Sequence, residues 1–201
     1  MHERTRNMMR VALFTALITA GAFIRIPFPL VPFTLQFMFV LLTGLLLERR
    51  LALSAVALYI LMGLIGLPVF TGGGGPDYIL RPTFGYIVGF AVGVWVSGSI
   101  VAARPAERPG YRRLLVASLA NFLIVYGLGL IHLIFVTRIL LGRDTALAVL
   151  LFQGFVVTAP SDIAACLALP LAARRLYPFF RSAPAVPRSQ SKTLTSRTPS
   201  R

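Results

Sequence analysis

Charge is scarce in this sequence. Only 13% of its 201 residues are charged, against 57% hydrophobic, and the mean hydropathy is +0.80. A soluble domain carries about 25% charged residues. The polar surface available is too small to clothe a water-soluble globule, which excludes that class. In lipid the same length supplies roughly six spans of about 20 residues with their loops. The expectation is one all-α membrane domain over residues 1–181.

Cysteine is nearly absent. Cys166 stands alone, so no intrachain disulfide and no thiolate metal cluster can form. There are two histidines, His2 near the start and His132 toward one end of the fifth span. Neither has a carboxylate or second histidine at ligand spacing, so no metal is expected, and His132 reads as a satisfied interhelical group. No Asp pair or Ser/Lys pair stands out for covalent chemistry, and no cofactor motif is present. The glycine run at 72–75 lacks the Gly-Lys-Ser/Thr that a phosphate loop requires. Nucleic acid is also excluded as a partner despite a formal net charge of +14. The basic residues punctuate apolar runs without aromatic interleaving, a pattern that suits anionic membrane lipids instead.

What is present is a series of apolar stretches cut by charge or by Pro/Gly clusters. They place spans near Met9–Ile24, Phe33–Leu47, Leu51–Leu67, Pro82–Ala103, Leu114–Val136 and Pro160–Ala173. The first has basic residues ahead of it and could pass for a signal peptide, but apolar sequence resumes directly beyond Arg25. Several spans are short, which implies broken helices around a cavity. Sixteen of the twenty Lys and Arg residues fall before the first span, after every second span, or in the tail. Arg25, Arg81, Arg138 and Arg143 occupy the alternate side. By the positive-inside rule the protein is multi-pass in the cell membrane with both termini cytoplasmic. Residues 182–201 have no apolar period and read as a disordered basic tail.

Proline tolerates the first turn of a helix, so the last helix is placed from Pro160, with residues 144–158 as a short helix or re-entrant piece before it. Asp162 then lies in that helix's first turn, where the dipole favours a carboxylate. Gln36 lies 12 residues before Glu48 and Asp162 lies 12 before Arg174, which puts both about 18 Å above the inner boundary. Tyr86, 18 residues before Arg104, falls about 27 Å up, beside Arg81. Four polar side chains from three spans therefore converge in the outer half. A carboxylate within a span costs several kcal/mol and marks a substrate or ion path. The alternative for Asp162 is a helix cap or a buried pair with Arg25 or Arg81. Gln36 reads equally as a contact between helices or with a ligand.

Two outward loops look specialised. Residues 25–36 carry three prolines, which forbid helix and favour a stiff extended segment. Residues 66–77 place four glycines together, at 72–75, which permit close backbone approach to a ligand, a hinged lid, or a flexible linker. On the first span Ala12, Ala16 and Ala20 form a small-residue stripe of the kind that lets another helix approach closely.

These residues resemble the BioY family, the biotin-binding S-components of energy-coupling factor (ECF) vitamin transporters. The segments that carry the resemblance are Ile-Pro-Phe-Pro-Leu-Val-Pro-Phe-Thr-Leu-Gln (26–36), Gly-Leu-Pro-Val-Phe-Thr-Gly-Gly-Gly-Gly (66–75), Arg-Pro-Thr-Phe-Gly-Tyr-Ile-Val-Gly-Phe (81–90) and Pro-Ser-Asp (160–162). The resemblance implies the six-helix ECF S-component fold and capture of biotin under the first and third loops. Its implied substrate-binding residues are Asp162, Tyr86, Arg81, Gln36, Thr34, Phe33, Gly74 and Phe70, with Val69 along the acyl chain. Its implied partners are a transmembrane coupling protein and two cytoplasmic ATPases, with Ala12, Ala16 and Ala20 as the docking surface. Three departures from the family pattern stand out. Ala165 replaces a usual lysine, and Arg81 and Phe84 replace two glycines. Arg81 is expected to supply the positive charge that Ala165 lacks, and Phe84 to narrow the site. A receptor for another vitamin, or an intramembrane enzyme acting on a lipid or vitamin precursor, is the competing function.

Overall fold

A computed structural model describes residues 2–27, 31–103 and 108–181. The tail expected over 182–201 lies outside them. The protein is mostly helical, with six helices. These are α1 His2–Phe23, α2 Gln36–Leu46, α3 Arg49–Leu64, α4 Phe84–Ala102, α5 Tyr111–Leu140 and α6 Leu147–Phe180. Helices α4, α5 and α6 are each long and apolar enough to cross a membrane. α1 spends its first turns on Arg4, Arg6 and Arg10, so its helix begins seven residues before the apolar run. α2 has only 11 residues, about 16 Å of rise, roughly half of a bilayer core. The short second span is thus a genuine half-helix.

The missing half is replaced by a hairpin. Strands β1 Arg25–Ile26 and β2 Phe33–Thr34 pair antiparallel, Arg25 opposite Thr34. Pro27 and Pro32 flank these strands inside a segment that cannot donate a helical ladder. The α3–α4 connection is folded just as firmly. Gly73 and Gly75 take φ of 111° and 118°, a region L side chains rarely adopt. A Cβ on Gly74 would sit 3.0 Å from the Gly63 carbonyl oxygen, and the Gly75 amide donates to that same oxygen at 2.7 Å. The glycine run is a compact turn. A single 3₁₀ turn, Pro76–Leu80, follows and buries Tyr78.

α4 and α5 form the most intimate pair. Gly85, Gly89 and Gly93 lie one turn apart on α4 and face α5. A Cβ on Gly89 would approach Val125 Cα to 2.8 Å, and one on Gly93 would approach Asn121 Oδ1 to 2.9 Å. Small residues let helix backbones meet where lipid offers no hydrophobic drive. The spacing is visible in the sequence.

Both long terminal helices are modified. α5 finishes in a π turn, Phe135–Leu140, and α6 contains another, Phe152–Val156, before its main run Ala159–Phe180. Pro160 occupies the first turn of that run with Asp162, as expected. The opposite end of α6 is tied down. The Arg181 guanidinium donates to the Leu47 carbonyl, Arg10 donates to the Phe179 carbonyl at 3.3 Å, and the Phe14 and Phe180 rings meet edge to face. This end of the bundle collects Arg10, Arg49, Arg113 and Arg181 and is called the basic end below.

Candidate functional site

At the other end, a small cleft of about 60 Å³ opens among the N-terminal ends of α2 and α4, the middle of α5, the first turn of α6's main run and the hairpin. Its walls are mostly apolar, with Val31, Phe33, Phe37, Ile87, Phe90 and Val125 contributing surface. Gln36, Thr34, Thr71, Thr83, Tyr86, Tyr126, Thr158 and Asp162 supply its polar atoms. A predominantly apolar concavity with a few convergent polar groups is the usual form of a small-molecule site.

Asp162 is positioned by two features. Its amide bonds back to the Thr158 carbonyl in the first turn of the main run, and its Oδ2 lies 2.7 Å from Tyr126 Oη. The same phenol oxygen is 3.0 Å from Thr158 Oγ1. The single phenol proton has these two acceptors in reach, and the carboxylate, closer and charged, is the stronger of them. Among the described residues no Lys or Arg lies within ion-pair distance of Asp162. Asp162 lines the cleft, and its second oxygen keeps its accepting capacity. The buried pair with Arg25 or Arg81 is therefore not formed.

Gln36 opens α2 and is 96% buried, yet its Nε2 has no hydrogen-bond partner among the described residues. A buried amide nitrogen without a partner costs about 1–3 kcal/mol. Gln36 lines the cleft as a residue, and the Tyr59 hydroxyl, likewise buried without a partner among the described residues, lies beside its amide. Tyr86 presents its ring to the cleft, edge to face with Tyr126 at 5.8 Å. Its hydroxyl is already committed, since it donates to the Gly154 carbonyl at 2.7 Å. That carbonyl lies in the π turn of α6, where the helical ladder is interrupted. Tyr86 thus offers the ligand a packing face, and its hydroxyl holds the first half of α6 in place.

The sequence-predicted residues divide into two groups. Asp162, Gln36, Tyr86, Thr34 and Phe33 line the cleft together. Arg81, Gly74, Phe70 and Val69 do not. Phe70 is turned into the core, where it stacks with Tyr59 and Tyr78 at 5.2 and 4.5 Å and fills the space beside Gly63. Gly74 is packed on Leu67 and Gly63 backbone. Arg81 is exposed, with its guanidinium 5.5 Å from the centre of the Tyr78 ring. Phe84 leans toward His132, ring centres 6.1 Å apart, and does not narrow the cleft. His132 Nε2 lies 3.2 Å from the Arg81 carbonyl oxygen, which joins α5 to the α3–α4 connection. Tyr126, Thr158, Thr71 and Thr83 are cleft residues that the sequence reading missed.

A second surface lies on α1. Ala12, Ala16 and Ala20 are all exposed and line a groove against α3 with Thr15, Thr19, Phe23, Leu58 and Met62. The Thr15 and Thr19 hydroxyls bond to carbonyls of Val11, Ala55 and Thr15. The face they leave is smooth and apolar.

The profile described as BioY family matches residues 1–182. A probable biotin transporter BioY of Lysinibacillus sphaericus is 40% identical over 184 residues, covering 92% of this chain and 93% of that one. A biotin transporter BioY of Thermotoga maritima is 39% identical over 131 residues, covering 65% and 75%. The crystal structure of the S-component for biotin from an ECF-type ABC transporter superposes with a TM-score of 0.76 at 26% identity, covering 90% of this chain and 98% of that one. With a membrane bundle of this fold and a family match along nearly its whole length, the chain belongs to the BioY family.

Proposed function

We propose that this protein is the substrate-binding component of a biotin transporter: it captures biotin reversibly on the outer face and performs no covalent chemistry. The observation that carries this reading is the cleft's combination of one half-buried carboxylate, without an ion-pair partner among the described residues, with an aromatic, apolar wall. Biotin's ureido ring has two N–H donors flanking a carbonyl. Asp162 accepts from one of these donors, the Gln36 amide donates a hydrogen bond to the carbonyl, and Phe33, Phe37, Ile87 and Phe90 take the sulfur ring and methylene chain. A charge-assisted bond of this kind contributes about 1.5–3 kcal/mol.

The energy for uptake comes from partners, a transmembrane coupling protein and two cytoplasmic ATPases, with the alanine-lined groove of α1 as the docking face. The basic end faces the cytoplasm, as its arginine content favours, and both termini lie there.

Calorimetric titration of the detergent-purified chain tests the ligand. Biotin should bind and be recovered unmodified, thiamine and riboflavin should give no heat, and Asp162→Asn should weaken biotin about 10- to 100-fold. An unaltered chain that gives no heat with biotin overturns the reading, and turnover of the ligand would favour the intramembrane enzyme.

A further inference from the structure

Among the described residues lining the cleft, the only carboxyl side chain is Asp162, and no Lys or Arg takes part. Biotin, the ligand in the reading on which this step rests, carries a carboxylate of its own at the end of its chain. Two anions in one apolar cleft repel, so the tail needs a seat away from Asp162 that offers donors and positive charge.

The α3–α4 connection supplies one. Tyr78 Oη is 3.2 Å from the Gly72 amide nitrogen, 3.1 Å from Thr71 Oγ1 and 3.4 Å from Thr83 Oγ1. A phenol oxygen accepts two hydrogen bonds and donates one. The Gly72 amide can only donate, and Thr83 Oγ1 is oriented to donate. Both lone pairs of Tyr78 are thereby filled, and its own proton goes to Thr71. The Thr71 proton is then left without an acceptor among the described residues, on a side chain that lines the cleft. Thr83 lines it too. The nearest cation belongs to the same knot. The Arg81 guanidinium lies over the Tyr78 ring, and its Nη1 is 3.4 Å from the place a Cβ would occupy on Gly72, the residue next to Thr71.

We infer that Thr71, oriented by Tyr78 and backed by the charge of Arg81, is the seat for the carboxylate of the ligand, and that this seat fixes which end of biotin enters first. The ureido ring goes to Asp162 on the α5 and α6 wall, and the acid stays at the α3–α4 connection. Arg81 acts through its field and through Tyr78, so its absence from the cleft lining is consistent with the role.

The test compares biotin with its primary amide, which has the same rings and chain and no tail charge, by titration of the full chain in detergent. The unaltered chain should prefer biotin about tenfold, as a charge-assisted hydrogen bond near the surface allows. That preference should shrink with added salt. Arg81→Gln and Thr71→Val should each collapse the biotin-to-amide ratio to within about twofold of one. Equal affinity for biotin and amide in the unaltered chain overturns the seat and leaves the biotin reading standing. So do variants that weaken both ligands alike, or neither. An unaltered chain that binds neither ligand overturns both.

Discussion

The Tyr126 hydroxyl lies between an anion and an alcohol, 2.7 Å from Asp162 and 3.0 Å from Thr158. Its effect is to aim a carboxylate that would otherwise choose among rotamers. Tyr126→Phe keeps the ring contacts with Phe122 and Phe155 and removes the hydroxyl's contacts with Asp162 and Thr158. The expected result is a loss of biotin affinity of about 3- to 10-fold, smaller than for Asp162→Asn, with an unchanged melting midpoint. Titration and a thermal scan of the same preparation would show both. Asp162 and Gln36 are legible in the sequence because a polar group inside an apolar run is costly and therefore conspicuous. Tyr126 is not, since tyrosine in a membrane helix attracts no notice and its role depends on how α5 is turned against α6. Phe70 and Gly74 share a motif with Thr71, yet sequence proximity could not show that Gly63 makes room for the Phe70 ring in the core.

At the scale of elements, the alternation of charge and apolar runs reveals six helices, and the prolines reveal where the first loop is extended. The boundaries moved for local reasons. α1 continues back through its arginines because they form a soluble helical turn as readily as an apolar one, and α2 starts only at Gln36 because the preceding residues pair as a hairpin. The α4 glycine stripe carries a sharp consequence. Gly89→Ala places a methyl 2.8 Å from Val125 Cα, and a backbone atom cannot rotate away as a side chain can. Separation of α4 from α5 should cost about 1–3 kcal/mol and weaken biotin binding, because Val125 and Tyr126 line the cleft. Gly127→Ala on the open side of α5 meets nothing within 4 Å and should leave the midpoint unchanged or slightly higher. Thermal unfolding of the two variants in one detergent would separate close packing from helix propensity.

The whole molecule has a binding end, a basic end and one bare flank. Filling that flank separates binding from coupling: Ala16→Leu should leave the isolated chain's affinity for biotin within about twofold, since Ala16 is exposed on α1 and does not line the cleft. The same variant should abolish co-purification with the coupling protein and biotin uptake by cells. Retained co-purification would move the docking face elsewhere. One further property follows from how α6 is held. Its cleft-side half is interrupted by a π turn and held by the hydroxyls of Tyr86 and Tyr126 and the ring of Phe155, whereas its other end is clamped to α1 and to the α2–α3 turn through Arg10, Phe14 and Arg181. A rod fixed at its foot and jointed near its top yields at the joint. The shape of the foot is then the same in the loaded and the empty receptor, so any machinery below must learn of cargo from the flank or the loops.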